Sequence, residues 1–308
     1  MKVSIVLSTY NGSEYIVEQL DSLRCQSYQA DEVLISDDCS TDNTAEIIEA
    51  YIKEYNLAHW KFVRNNQNYG WRKNFMELLK SAAGDILFTC DQDDVWLSDK
   101  IEVMKNVMEQ NPNINVLVSK YLEFFEDGST RIMPKNRYPQ DINKQILVKN
   151  FTAIPFPGCT YCIKKEFAIV AQKYWQDDFP HDSILWRLAM FSDGLYIMDK
   201  VLIKMRKHNK STFTQESKSS KNKVIKRNSL DYEERVFNGM LRYIEDEPQI
   251  FEKNKKRAIV EKSLKWNSIR KNFYDKRNPF YGLMLLKYIK YYPNFKRYLG
   301  DWYWIFLS

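Results

Sequence analysis

The sequence contains 308 residues, of which 44% are hydrophobic and 15% aromatic, with 46 Lys and Arg against 40 Asp and Glu. This apolar content excludes a disordered chain, and nine glycines and nine prolines exclude a collagen-like or low-complexity protein. The net charge of +6 is uneven, because residues 206–308 carry 24 basic and 11 acidic side chains. An acidic body is therefore followed by a basic tail.

The first half of the chain alternates predicted strands and helices. Apolar, β-branched runs end at polar loops, and helical spacing of apolar residues follows each loop. Strands are predicted at residues 2–8, 32–36, 60–64 and 85–90, and the first three helices around residues 16–23, 45–52 and 71–83. This order predicts an α/β fold with a Rossmann-like, mostly parallel sheet flanked by helices.

The second half is less regular. A helix is predicted at residues 101–111, a strand at 115–119, an irregular polar segment at 120–150, and a tight turn near 155–160 before a further strand and helix. Another helix is expected at 182–191. We predict a catalytic domain at 1–213, a flexible linker or loop at 214–228, and a helical, basic and aromatic region at 229–308.

The sequence also bears on the environment of the protein. It contains no apolar run of about 18 residues, so no transmembrane helix is expected. The start MKVSIVLSTYNG lacks the pattern of a signal peptide, which predicts a cytoplasmic protein. Cys159 and Cys162 form a CxxC without a second such pair, so reduced, partly buried thiols without a metal or redox role are expected.

Three polar loops follow predicted strands, at residues 8–11, 37–42 and 91–94. In parallel sheets, ligands bind beyond the carboxyl ends of the strands, so these loops are expected to meet. The last loop contains Asp91, Asp93 and Asp94. Three neighbouring carboxylates repel one another unless a cation lies between them, and Mg²⁺ or Mn²⁺ is the cation that oxygen ligands favour. The alternative is a solvated acidic turn, with Asp94 as a helix cap.

Four motifs in this order resemble the family-2 glycosyltransferases with the GT-A fold. They are STYNG at 8–12, SDDCSTDNT at 36–44, AAGD at 82–85 and DQDDVW at 91–96. The segment from Pro180 through the helix to Phe191 looks like the catalytic-base segment of that family, and residues 204–208 look like its closing loop. The resemblance covers about residues 1–213. It implies transfer of a sugar from a nucleotide diphosphate donor with a divalent metal, Mn²⁺ or Mg²⁺.

The resemblance also implies roles for single residues. Ser8 and Tyr10 match positions that contact the nucleotide base, and Asp38 matches the carboxylate that reads the base or ribose. Asp91 corresponds to the ribose-facing aspartate and Asp93 to the metal ligand that bridges to the diphosphate. For Tyr10 a place in the core stays open, and for Asp38 a role as N-cap only.

Further matches concern the chemical step. Asp182 would be the general base, with a pKa raised by partial burial beside Trp175 and Trp186. Arg206 and His208 would neutralise the departing diphosphate, with His208 also a candidate metal ligand, and Arg72 is a further candidate for the nucleotide. The alternatives are a helix cap for Asp182 and a structural role for His208.

One displacement with one base implies inversion at the anomeric carbon. DQDDVW followed by Lys100 and Ile101 is similar to the rhamnosyltransferases of that family, so the resemblance favours dTDP-rhamnose as donor, with a UDP-hexose second. The acceptor would be a saccharide hydroxyl, lipid-linked, in bacterial surface polysaccharide synthesis. A catalytically inactive sugar-binding or scaffold protein is the alternative. A dinucleotide-dependent oxidoreductase is disfavoured, because the first turn offers only Gly12 in place of GxGxxG.

The tail of the chain combines basic residues with Trp302, Tyr303 and Trp304. This pattern fits an anionic membrane surface at the inner face of the cell membrane. A helical bundle packed on the catalytic domain, or a homo-oligomer contact, is the alternative. Nucleic-acid binding is disfavoured, because no recognised module is present.

Overall fold

The computed structural model describes residues 1–208 and 222–307, and its centre is a ten-stranded sheet. Eight strands follow the order β3-β2-β1-β4-β9-β6-β10-β5, while β7 pairs with β6 and β8 with β10. The strands are β1 Val3–Thr9, β2 Glu32–Asp37, β3 Trp60–Arg64, β4 Ile86–Cys90, β5 Val95–Trp96, β6 Val116–Phe125, β7 Thr130–Met133, β8 Ile142–Lys144, β9 Tyr161–Lys164 and β10 Leu195–Lys207.

The four strands predicted in the first half form the parallel part of the sheet, because a helix connects each strand to the next. All residues of β1, β2 and β4 are buried, as expected for strands covered on both faces. The helices around the sheet are α1 Ile16–Arg24, α2 Thr44–Glu54, α3 Trp71–Ser81, α4 Lys100–Gln110, α5 Lys165–Gln172 and α6 His181–Phe191. The predicted α/β fold class is confirmed.

The other half of the sheet is mixed. β9 lies antiparallel between β4 and β6, whereas β10 runs parallel to β6. The prediction of an irregular segment at 120–150 was wrong, since that segment holds the end of β6 together with β7 and β8. β7 and β8 could not be predicted from the sequence, because they are mostly exposed or half-exposed and show no apolar alternation.

The chain divides into two compact units. The first comprises Met1–Gln145, Pro155–Ala189 and Gly194–Lys207, and the second comprises Ile146–Ile154, Met190–Asp193 and His208–Ser308. The predicted linker 214–228 lies outside the described residues up to residue 221. Its end is helical, because the next helix begins at Lys223.

The second unit is built mainly from helices, namely α7 Lys223–Asp246, α8 Lys253–Lys276, α9 Pro279–Leu285, a 3-10 helix at Leu286–Tyr291 and α10 Phe295–Phe306. The buried guanidinium of Arg270 in α8 forms two hydrogen bonds, 2.8 and 3.0 Å long, to the carboxylate of Asp301 in α10. Tyr274 and Tyr292 donate their hydroxyls to the same carboxylate. The buried charges are thus paired and hydrogen-bonded, which fixes α10 on α8.

Among the helices formed by residues 1–208 and 222–307, none has both the length and the apolar character required to cross a bilayer.

Candidate active site

The loop after β1 is joined to the loop after β4 by the side chain of Gln92. The Gln92 amide accepts a hydrogen bond from the Tyr10 backbone N–H (2.8 Å) and donates to the Tyr10 carbonyl (2.9 Å). Gly12 lies so close to the same amide that a β-carbon there would collide with it. Tyr10 itself is 44% exposed, so the alternative of a core residue is wrong and its ring is free for contact at the rim.

Asp38 follows β2 and orders the loop that precedes α3. Its buried carboxylate accepts hydrogen bonds from the backbone N–H groups of Tyr69 (2.9 Å) and Gly70 (2.8 Å) and from the amide of Asn65 (3.0 Å). Helix α2 begins at Thr44, so Asp38 is not its N-cap. The carboxylate predicted to read the nucleotide therefore also positions the loop at 65–70.

Ser8 lies at the end of β1 and is bound within the protein. Its hydroxyl accepts a hydrogen bond from the buried amide of Asn74 in α3 (2.8 Å), and the Asn74 carbonyl oxygen accepts from the hydroxyl of Ser36 (2.6 Å). One buried amide thus connects the ends of β1 and β2 to α3. The structure places Ser8 in this network, beside the rim of the sheet.

Two of the acidic residues after β4 lie together with a thiol. Asp91, Asp94 and Cys159 each offer one ligand atom, and these atoms lie within 4.8 Å of one another. Burial, with the negative charges of Asp93 and Asp182, raises the pKa of Asp91 to about 7. Burial, with the charges of Asp93 and Asp91, holds the pKa of Asp94 well above its usual value. Carboxylates in this environment favour a cation as partner.

Cys159 is positioned by the buried amino group of Lys100. The Lys100 Nζ donates a hydrogen bond to the Cys159 carbonyl (3.1 Å) and lies 4.5 Å from the centroid of the Trp96 ring. The preceding carbonyl, of Gly158, accepts from the Thr89 hydroxyl. These contacts fix the turn Gly158–Thr160 beneath the acidic residues, at the start of β9.

Arg206 lies beside the acidic loop at residues 91–94, and it belongs to strand β10. Its backbone N–H donates to Asp94 (3.0 Å), its Nε donates to the Asp93 carbonyl (3.0 Å), and its guanidinium also pairs with Glu18. The prediction of a closing loop at residues 204–208 was wrong for residues 204–207, which form the end of β10. Pairing of β10 with β6 and β5 places Arg206 beside the acidic loop.

Asp182 lies in the first turn of α6 and is largely buried. Its carboxylate accepts a hydrogen bond from the N–H of the adjacent Ser183 (2.7 Å). Burial raises the pKa of Asp182 to about 6, although this hydrogen bond and the charges of Arg187 and Arg72 act in the opposite direction. The direction predicted from the sequence is therefore the one that burial produces, and Asp182 is a carboxylate suited to accept a proton near neutral pH.

Three further residues predicted for the site, Arg72, Asp93 and His208, lie outside the cluster of Asp91, Asp94 and Cys159. Arg72 lies over the Trp71 ring, 4.2 Å from its centroid, and acts electrostatically on Asp182. Asp93 is half-exposed and is not among the three residues with clustered ligand atoms. His208 is buried and belongs to the second unit, so its predicted contact with the diphosphate or metal stays a prediction.

The donor set can be tested against the metal that the resemblance implies. Asp94 Oδ2 is buried and has no hydrogen-bond partner among the described residues, so one carboxylate oxygen is available to a cation. Carboxylates are the ligands that Mg²⁺ and Mn²⁺ favour. Burial holds the pKa of the Cys159 thiol well above its usual value, so it stays protonated and is a poor ligand for these hard cations. The carboxylates fit the metal, whereas the thiol does not.

Comparisons with known proteins identify the family of the chain. The family model of Glycosyl transferase family 2 matches residues 4–169, more than half of the chain, and the chain therefore belongs to this family. It is a glycosyltransferase. The family membership predicted from the four motifs is confirmed.

One curated relative is similar over a longer stretch. The chain is 32% identical over 204 residues to a dTDP-rhamnosyl transferase, RfbG, from Shigella flexneri, which is 63% of this chain and 68% of that protein. Some other curated relatives are matched over only 44% of their own length.

Two solved structures share the fold. Staphylococcus aureus TarS residues 1–349, in complex with UDP-GlcNAc, superposes with a TM-score of 0.58 at 20% identity, covering 99% of this chain and 82% of that one. The mannosyltransferase PcManGT from Pyrobaculum calidifontis, in complex with GDP-Man and Mn²⁺, superposes with a TM-score of 0.53 at 15% identity, covering 99% and 85%.

Several residues of the site were not predicted from the sequence. Gln92, Lys100 and Cys159 acquire their positions only through partners about 60 to 80 residues away in the chain. His181 belongs to a predicted motif, but the sequence assigns it no role of its own. The CxxC pair and the DQDDVW motif mark the neighbourhood, but neither shows which side chains meet.

Proposed function

We propose that the protein is an inverting, divalent-metal-dependent transferase that moves a sugar from a nucleotide diphosphate donor to a hydroxyl of a saccharide acceptor. The observation that carries this proposal is the position of Asp182. It is a partly buried carboxylate with a raised pKa, and it acts electrostatically on Asp91 in the acidic loop after β4. A proton acceptor and a group of cation-binding carboxylates thus belong to one site.

Transfer makes the anomeric carbon positive and the leaving diphosphate negative. Asp182 accepts the proton of the acceptor hydroxyl as that oxygen attacks, which is the general-base step. The guanidinium of Arg206, whose Nε donates to the Asp93 carbonyl, stabilises the negative charge that develops on the diphosphate, and Arg72 adds a second positive charge. For His208 a contact with the diphosphate or metal stays a prediction.

Mn²⁺ or Mg²⁺, when bound, neutralises the diphosphate. Asp91, Asp93 and Asp94 are the carboxylates that would hold it, and the resemblance implies Asp93 as one of its ligands. Orientation of the donor base and ribose falls to Ser8, Tyr10 and Asp38 at the ends of β1 and β2. Inversion follows from a single base, since retention by double displacement requires a second carboxylate as nucleophile.

The donor proposed first is dTDP-rhamnose and the second a UDP-hexose. The named function of the Shigella relative supports the first, and the UDP-GlcNAc bound to TarS supports the second. The proposed acceptor is a lipid-linked saccharide in bacterial surface polysaccharide synthesis. A lipid-linked acceptor places the enzyme in the cytoplasm, peripherally at the inner face of the membrane, and a homo-oligomer stays compatible with this location.

Donor binding tests the proposal without an acceptor. Isothermal titration of the full chain with dTDP-rhamnose, UDP-glucose and UDP-GlcNAc, each with and without Mn²⁺, is expected to show binding that requires the metal and is tightest for one donor. Binding of the tightest donor with equal affinity in chelator would contradict the metal-dependent site. Absence of binding and of slow donor hydrolysis across the panel would contradict the assignment of a nucleotide-sugar donor.

A further inference from the structure

Helix α10 of the second unit carries an exposed apolar stripe. Phe295, Leu299, Tyr303 and Phe306 follow one another at intervals of four, four and three residues, and each is between 44% and 56% exposed. This spacing places the four side chains on one face of the helix. The exposed face of a surface helix is ordinarily polar, so this stripe needs an explanation.

The opposite face of α10 already belongs to the core of the unit. Tyr298, Asp301 and Ile305 are buried, and Asp301 is held by Arg270 of α8. The stripe is therefore not the core-facing side of the helix. Because α10 is apolar on its outer as well as its inner side, it resembles a helix with a second apolar environment to face.

The preceding segment repeats the pattern. Phe280 and Leu283 of α9 and Leu286 of the 3-10 helix are exposed and lie three residues apart. Helices α9 and α10 pack together, since Gly282 lies against the Trp302 ring and its carbonyl accepts a hydrogen bond from the Tyr298 hydroxyl (3.2 Å). The seven exposed apolar side chains thus occur on two neighbouring helical segments; we call them the apolar face.

Charge distinguishes among the partners of this face. Residues 276–307 contain six basic side chains and one acidic side chain, Asp301, which is buried in its ion pair. The exposed charges of this segment are thus positive, and include Lys287, Lys290 and Lys296. A second copy in a two-fold contact would bring like charges together, which disfavours a dimer. A nucleic acid would leave the apolar side chains without a partner.

We propose that the apolar face binds the surface of a bilayer that contains anionic lipids. Rings and leucines enter the boundary between headgroups and acyl chains, while the lysines of the same segment contact lipid phosphates. The bilayer is thereby the membrane partner of the proposed function, and the purpose of this binding rests on that function. Binding to lipid itself requires neither donor nor acceptor.

The experiment compares the full chain and its variants in co-sedimentation with vesicles. Vesicles of phosphatidylcholine alone are compared with vesicles of phosphatidylcholine and phosphatidylglycerol. The wild type is expected to bind the mixed vesicles at least about tenfold more tightly than neutral ones, and high salt is expected to weaken this binding. Equal affinity for both, or no binding to either, would overturn the proposal.

Two variants locate the surface. Leu299→Glu is expected to reduce binding to mixed vesicles about tenfold or more, because a charge enters the middle of the apolar stripe. Ile169→Glu is the matched control, since Ile169 is 49% exposed against 50% for Leu299 and lies on α5. The control is expected to bind as the wild type does. Equal losses in both variants would show a general effect of charge and overturn the location.

Two further measurements distinguish lipid binding from misfolding of the variant and from dimerisation. Donor hydrolysis in solution by Leu299→Glu at the wild-type rate shows that the variant is folded and that the loss is specific to lipid. A wild type that forms a dimer in solution, dissociated by Leu299→Glu, with no vesicle binding, would assign the face to a second copy and overturn the proposal. If vesicle binding is found but no donor is turned over, the proposed function fails while the lipid-binding face stands.

Discussion

The imidazole of His181 stacks on the ring of Phe75, with 4.2 Å between their centroids, and meets the Trp71 ring edge-on at 6.2 Å. Neither ring nitrogen of His181 has a hydrogen-bond partner among the described residues. Burial lowers the pKa of His181 to about 3, so the ring is neutral at physiological pH. His181, the residue before the proposed base, therefore packs as a neutral aromatic ring. It places no positive charge beside Asp182.

The position of the His181 ring depends on the absence of a side chain at Gly158. A β-carbon at Gly158 would lie 2.5 Å from His181 Nε2, so Gly158→Ala is expected to displace the imidazole and the start of α6. Overpacking of this kind costs about 1–3 kcal/mol of unfolding free energy, and movement of Asp182 should lower kcat more than it changes KM for the donor. Denaturant unfolding and steady-state kinetics measure both effects.

Gly239→Ala is the matched control, since nothing lies within 4 Å of its β-carbon position in α7. It should stabilise the helix by about 0.5–1 kcal/mol and leave the kinetics unchanged. If Gly158→Ala behaved like this control, the close approach of His181 would have no consequence for the site.

The burial of Asp182 has a cost in stability that can be measured. Its pKa is about 6 in the folded protein, above the usual 3.8, so the folded state binds this proton more tightly than the unfolded state. The free-energy cost of burying the ionised Asp182 carboxylate is absent below pH 3.8 and is complete above pH 6. Asp182→Asn should therefore raise the unfolding free energy by about 1–3 kcal/mol at pH 8 relative to its effect at pH 4. Unfolding curves at both pH values with no such difference would contradict a raised pKa.

Gln92 should act on donor affinity. Gln92→Ala removes both hydrogen bonds to the Tyr10 backbone, so the exposed Tyr10 ring loses its fixed position at the rim. The expected result is a rise of about fivefold to tenfold in KM for the donor with kcat changed less, since two hydrogen bonds are lost. Gln29→Ala, an exposed glutamine that also bonds to backbone carbonyls, is the control and should keep the wild-type KM.

Arg206 should act on the chemical step. Arg206→Lys keeps a positive charge but loses the Nε–H bond to the Asp93 carbonyl, so the charge is no longer fixed beside the acidic loop. We expect kcat to fall about tenfold or more. Lys207→Arg, at the adjacent position of β10, serves as control. An unchanged kcat in Arg206→Lys would show that the geometry of the guanidinium is dispensable.

The alternating pattern of strands and helices sufficed to predict the parallel part of the sheet, because buried parallel strands are short apolar runs that end at polar loops. β7 and β8 were not predicted, since their mostly exposed or half-exposed residues resemble a loop. β10 was not predicted either, although Leu195, Ile197 and Ile203 are buried in it. The resemblance implies that Asp91 and Asp182 belong to one site, which stays a prediction. The sequence did not predict that Asp38 orders the loop before α3, or that Asp94 lies beside Cys159, because such contacts depend on how distant segments pack.

Asp182 is proposed as the base of the transfer reaction, and its substitution by asparagine tests that role. Asp182→Asn keeps the shape of the side chain but cannot accept a proton at neutral pH. Release of nucleoside diphosphate in the presence of acceptor, measured with the donor that binds most tightly, is expected to fall by about 10²-fold or more while donor affinity stays within about threefold of the wild type. Turnover of this variant at the wild-type rate would show that Asp182 is not the base.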